Sequence, residues 1–198
     1  MSRRVLAADP RKGADIDFLA LQLIERYQPE VLAGNTAFDV EKFFEFDLED
    51  LCGVKVDYRE LPSGIYGVTD SERKECIISA ELMDRPRKSD KYFARSTIAH
   101  EGYHAMVHIP EFRKKRAVLK SINDEQHASL CLYRQEDVPI YMNPEWQAFR
   151  FAGALLMPEE PFKASIRNGY GVRDLADLFQ ANPANVCSRA KALSILLK

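Results

Sequence analysis

Apolar side chains recur every three or four residues between positions 14 and 53 and every second residue between 54 and 82. The first spacing lines one stripe of a helix, and the second lines one face of a strand. In ADIDFLALQLIERY (14–27) the stripe is Ile16, Leu19, Ala20, Leu23 and Tyr27, and Pro29 stops it. DVEKFFEFDLEDLCG (39–53) predicts another helix, with Asp39 as N-cap, an apolar surface from Val40, Phe43, Phe44, Phe46, Leu48 and Leu51, and Gly53 at the C-cap. VKVDYREL (54–61), IYGVTD (65–70) and ECIISAEL (75–82), separated by PSG and SERK, predict three short strands in an antiparallel meander.

The helical period then returns. One helix is expected from about Ser89 to His108, with Pro110 closing it. EFRKKRAVLK and residues 121–142 are less regular, and RKKR (113–116) reads as a solvated loop. NPEWQAFRFAGALLMP (143–158) predicts a strong helix, capped by Asn143, with Pro144 at its first position and Pro158 at its end. VRDLADLFQANPANVCSRAKAL (172–193) predicts two short helices around QANP. No internal repeat or low-complexity linker divides the chain. The expectation is one α+β domain, with N-terminal helices (1–53), a sheet plus site-bearing helices (54–158) and a helix-turn-helix-like pair (159–198).

Composition narrows the function classes. The 198 residues are 46% hydrophobic and 29% charged, the mixture of a globular chain. A net charge of −2 supplies no global basic field for nucleic acid or anionic membrane. Residues 172–198 carry Arg173, Arg189, Lys191 and Lys198 against Asp174 and Asp177, a surplus of two and little for a phosphate-reading surface. Cys52, Cys76, Cys131 and Cys187 form no CxxC pair, and the N-terminus has only a four-residue apolar run before Asp9. A cytoplasmic protein with reduced thiols and no membrane span is therefore expected.

The chemistry concentrates in STIAHEGYHAMVHIP (96–110), which holds three of the four histidines. His100 and His104 are four apart, so their Cβ atoms lie ~5–6 Å apart on one helix face. Two imidazoles so placed can converge on one ion at the ~2.0–2.1 Å bonding distance of Zn²⁺. Glu101 lies off that face, close enough to take a proton from a metal-bound water, which is the mechanical content of H-E-x-x-H. The apolar flanks TIA and AMV indicate burial, which would be costly for unpartnered imidazoles. Gly102, mid-helix at ~1 kcal/mol relative to alanine, suggests a close neighbour. His108 would lie about 12 Å along a continuous helix from His100 and turned away from it, so it is expected to pack at the helix end or cap its carbonyls. A third ligand must come from elsewhere, and Glu145, His127, Cys131, Asp124, Glu125, Glu136 and Asp137 are all candidates. His127 with Cys131 makes at most a weak second site.

HEGYHAMVH followed by EWQAFRFAGALLMP resembles the ImmA/IrrE family of bacterial zinc metallopeptidases. That family has an H-E-x-x-H helix and a later E-x-x-A-x-x-F-A-x-x-L-L-M-P helix, and LPSGIYG, ECIIS, FARSTIAHE and LADLFQANPANVCSRAKAL follow its order over roughly residues 15 to 195. The chain departs from it at Gly102-Tyr103, where the family usually has x-G, and at Phe149, where it commonly has Asn. The resemblance implies a thermolysin-like (zincin) core and Glu145 as the third ligand, completing a Zn²⁺ site of His100, His104 and Glu145 with Glu101 as catalytic base. It also implies a protein substrate, a separately encoded helix-turn-helix repressor. Tyr141, Tyr103 and His127 are candidates to steady an oxyanion. Two alternatives stand beside the endopeptidase: a regulatory partner that binds a repressor without cleaving it, and a DNA-binding regulator using the last two helices.

Overall fold

The computed structural model describes residues 4–121 and 132–197. Strand β1 (Arg4–Leu6) pairs antiparallel with β5 (Leu132–Arg134), Leu6 opposite Leu132. Three residues are too few to show a period, so this ribbon was not expected from the sequence.

Helix α1 (Gly13–Tyr27) buries Ile16, Ala20, Leu23 and Ile24. The single helix expected over 39–53 is two, α2 (Val40–Phe46) and α3 (Leu48–Cys52), with the break at Asp47. The expected caps hold. The Asp39 carboxylate accepts from the Lys42 N–H at 3.0 Å, and Gly53 sits at φ +66°, where a side chain would be strained.

Three strands follow, β2 (Lys55–Arg59), β3 (Gly67–Asp70) and β4 (Glu75–Ser79). They do not form an antiparallel meander. The order is β2-β4-β3: β2 runs parallel to β4, Lys55 opposite Glu75, and β3 runs antiparallel to it, Gly67 opposite Ile78. Burial explains the difference. Cys76, Ile77 and Ile78 are all buried, so β4 needs cover on both faces and takes the centre. The more exposed β2 and β3 take the edges. Residues 60–66 therefore carry the chain across to the far side of β4 instead of making a hairpin.

After α4 (Ala80–Asp84), helix α5 (Lys88–Tyr103) runs into a π-helical turn (His104–His108) and on through α6 (Ile109–Ser121). Pro110 does not close the helix. In a regular α-helix its ring would crowd the carbonyl four residues back. Here the turn widens, and the Ile109 N–H reaches the His104 carbonyl, five residues back. RKKR is accordingly helical and docked: Arg113 donates to the Ser71 carbonyl at 2.9 Å, Arg116 to Ser71 Oγ at 2.9 Å, and Lys115 to Glu111 at 2.7 Å.

Helix α7 (Pro144–Leu156) begins as expected, with Asn143 Oδ1 accepting from the N–H groups of Glu145 and Trp146 at 2.9 and 3.1 Å. It packs between α1 and α5 and buries Ala148, Phe151, Ala152, Leu155 and Leu156. Helix α8 (Glu159–Arg167) precedes the expected pair, α9 (Val172–Leu178) and α10 (Pro183–Ala192). Arg189 does not add to a surface charge. It is 3% exposed, and its Nη1 lies 3.1 Å from both oxygens of Asp17, which also holds Arg150 at 2.6 Å. The whole is a mostly helical α+β arrangement with one small mixed sheet. Among the described residues no helix is long and apolar enough to cross a membrane.

Candidate metal centre

The last full turn of α5 carries His100, and the π-turn begins at His104. The Asn143 cap fixes the first turn of α7, where Glu145 faces them. His100 Nε2 lies 3.1 Å from His104 Nε2 and 3.1 Å from Glu145 Oε2, and His104 Nε2 lies 3.5 Å from Glu145 Oε1. Tetrahedral bonds of ~2.0–2.1 Å place neighbouring donors ~3.3 Å apart. The three side chains therefore fit one small cation, and among the described residues they are the group that could hold a metal ion. The imidazoles are nearly buried, 11% and 13% exposed, while the Glu145 carboxylate is 61% exposed. The hydrogen bond from His100 and the nearby His104 hold the Glu145 pKa below its usual value. His100 Nδ1 is buried without a hydrogen-bond partner.

Glu101 reaches toward β3 beside these donors. Thr69 Oγ1 donates to its Oε2 at 2.6 Å. Gly67, on the same face of the strand two residues earlier, lets the side chain lie against the backbone: a Cβ there would sit 2.5 Å from Glu101 Cγ. Burial raises the Glu101 pKa, opposed by the Thr69 hydrogen bond. A carboxylate moved toward neutrality is better matched to taking and returning a proton. Gly67 and Thr69 are contributions the sequence reading missed. A glycine inside a strand pattern was the available signal.

The remaining candidates divide. His127, Cys131, Asp124 and Glu125 lie outside the described residues. Glu136 and Asp137 are exposed and not among the converging donors. Tyr103 is fully buried, its hydroxyl turned to Gln147 at 3.4 Å, so it faces the core and not the cleft. Tyr141 is 49% exposed. His108 is 2% exposed and does not cap the helix end; its Nδ1 meets His104 Nδ1 at 2.9 Å. Gly102 needs no close neighbour, since a Cβ there would meet only Leu48 Cδ2 at 3.8 Å. Trp146 is half-buried.

Two cavities meet at Gly67, His100 and Glu101. The smaller, about 520 Å³, is lined by Thr69, His104, Arg116 and Glu145. The larger, about 860 Å³, has apolar walls from Phe93, Trp146, Phe149, Leu156 and Met157. His100 and Glu101 thus lie where the two cavities join.

No protein-family model matches the chain, and no curated protein matches it significantly. A solved Mycobacterium tuberculosis transcriptional regulator superposes with a TM-score of 0.56 at 16% identity, over 93% of this chain and 48% of its own. The chain spans about half the length of that protein, and the likeness is one of fold alone.

Proposed function

We propose that the chain is a zinc-dependent endopeptidase of the ImmA/IrrE type, built on a thermolysin-like core and acting in the cytoplasm on a separately encoded helix-turn-helix repressor. The observation that carries this reading is the meeting of three donors at 3.1–3.5 Å with a partly buried carboxylate beside them. His100, His104 and Glu145 would hold Zn²⁺, which supplies an acidified water and polarises a carbonyl. Glu101, steadied by Thr69, would accept the water's proton and return it to the leaving amine.

The setting suits a polypeptide. β3 is an edge strand, so an extended segment can pair with its backbone beside Glu101. A cleft open on two sides accepts a chain from its middle. Substrate in the control of transcription accords with the resemblance, and the structural neighbour is itself a transcriptional regulator. The alternative of direct DNA binding through α9 and α10 is weakened by Arg189, whose charge is spent on Asp17. A non-cleaving binding partner would have no use for a Glu101 held in place by Thr69.

The test is Glu101→Gln assayed against a candidate helix-turn-helix repressor. Bound zinc should be retained while cleavage falls by roughly 10²–10⁴-fold. Equal cleavage by the variant would remove the base assignment, and absence of cleavage by the zinc-loaded wild type would favour the binding partner.

A further inference from the structure

We propose that His108 and Gln147 are positioning residues that lock His104 in the one tautomer able to turn an Nε2 lone pair toward a metal ion. The proposal rests on reading His104 as a ligand, but its hydrogen-bond logic can be tested without any metal.

The argument starts at the far end, where donor and acceptor roles are fixed. Gln147 is fully buried on α7. Its amide nitrogen donates to the Asp9 and Tyr141 carbonyls at 2.9 and 2.8 Å. Carbonyls only accept, so both amide protons are used and the amide cannot be flipped. Its Oε1 therefore only accepts, and Arg11 Nη1, which only donates, confirms this end at 3.1 Å.

His108 Nε2 lies 3.0 Å from that oxygen and must carry a proton. Burial at 2% exposure against the rings of Tyr103 and Phe112 favours the neutral imidazole. A neutral ring protonated at Nε2 has a bare Nδ1, which can only accept from His104 Nδ1, 2.9 Å away. His104 then carries its proton on Nδ1, and its Nε2 holds a lone pair directed at His100 Nε2 and Glu145 Oε1. Two backbone carbonyls thus set, through one amide and one imidazole, which nitrogen of His104 is free to bind. A metal-ligating histidine is commonly held this way by a partner on its other nitrogen. His100 Nδ1 has no such partner among the described residues, so the two ligands are not equivalent: one is pre-set and the other must adjust.

Ring nitrogen shifts in the metal-free, ¹⁵N-histidine-labelled protein above neutral pH read the tautomers directly. His104 should be the Nδ1–H form and His108 the Nε2–H form. A fast mixture, or the reverse assignment at either ring, overturns the relay. Competition with a zinc chelator supplies the second readout. His108→Phe should weaken zinc binding by roughly 10–100-fold and release the His104 tautomer, and Gln147→Met, which removes the acceptor, should also release it. Zinc affinity unchanged in His108→Phe also overturns the proposal. If the wild type shows the expected tautomers yet binds no zinc, the relay stands and the peptidase reading falls.

Discussion

Replacing Gly67 with alanine isolates what β3 does for Glu101. The new methyl carbon would lie 2.5 Å from Glu101 Cγ, 2.9 Å from Oε1 and 3.0 Å from Cδ. Carbons settle at ~3.5–4.0 Å, so the glutamate must withdraw by about 1 Å. The strand cannot easily yield instead, because the Gly67–Ile78 and Thr69–Cys76 pairs tie it to β4. Withdrawal stretches the 2.6 Å bond from Thr69 to about 3.6 Å, which is no longer a hydrogen bond. A hydrogen bond to a charged group is worth about 1.5–3 kcal/mol, and a ~1 Å misplacement can cost ~10²-fold in rate. Initial rates of substrate cleavage should therefore fall about 100-fold, with zinc affinity unchanged, since no metal donor is touched. Gly102→Ala is the matched control. Its Cβ meets only Leu48 Cδ2 at 3.8 Å, so activity should persist and stability should rise by up to ~1 kcal/mol. Full turnover by Gly67→Ala would refute the placement of Glu101 against the strand.

Three other outcomes are expected. Zinc at about a thousandfold excess over Kd should stabilise the fold by about 4 kcal/mol and raise its melting temperature; Glu145→Ala should lose most of that shift, and an equal shift would sink Glu145 as a ligand. Asp17→Asn leaves Arg150 and Arg189 facing each other without a carboxylate, and urea titration should show a loss of about 3–5 kcal/mol; a loss below about 1 kcal/mol would mean the cluster is not structural. In chelator, burial lowers the His108 pKa from 6.5 to about 4. Above pH 6.5 the ring is neutral folded and unfolded, but below it the unfolded chain binds a proton the fold refuses, costing about 1.4 kcal/mol per pH unit. His104, lowered chiefly by burial, adds in the same sense, while Glu101, raised by burial, opposes with one group against two. The urea midpoint of metal-free protein should fall between pH 6.5 and 4, and a rise would contradict burial of neutral imidazoles.

The local signals in the sequence were reliable wherever one residue acts on its own neighbours. Asp39, Gly53 and Asn143 cap the helices expected of them, because capping needs only a short polar side chain or a positive φ within one turn. The spacing of His100 and His104 likewise fixes a shared face before any tertiary contact. Pro110 misled because its usual effect assumes a regular α-helix, and a single π-turn removes the clash. The strand signals found β2, β3 and β4 but not their order, since order depends on which strand is covered from both sides.

Sequence alone determined the helical stripes, the caps, the pair of imidazoles on one face and the adjacent carboxylate, all consequences of spacing along a single element. Only the tertiary structure decided that Glu145 meets those imidazoles, that Gly67 and Thr69 hold Glu101, and that Asp9 and Gln147 reach His104 through His108. Those contacts join residues from 9 to 147, and such distances are set by how helices and strands pack against a shared core, which no local period records.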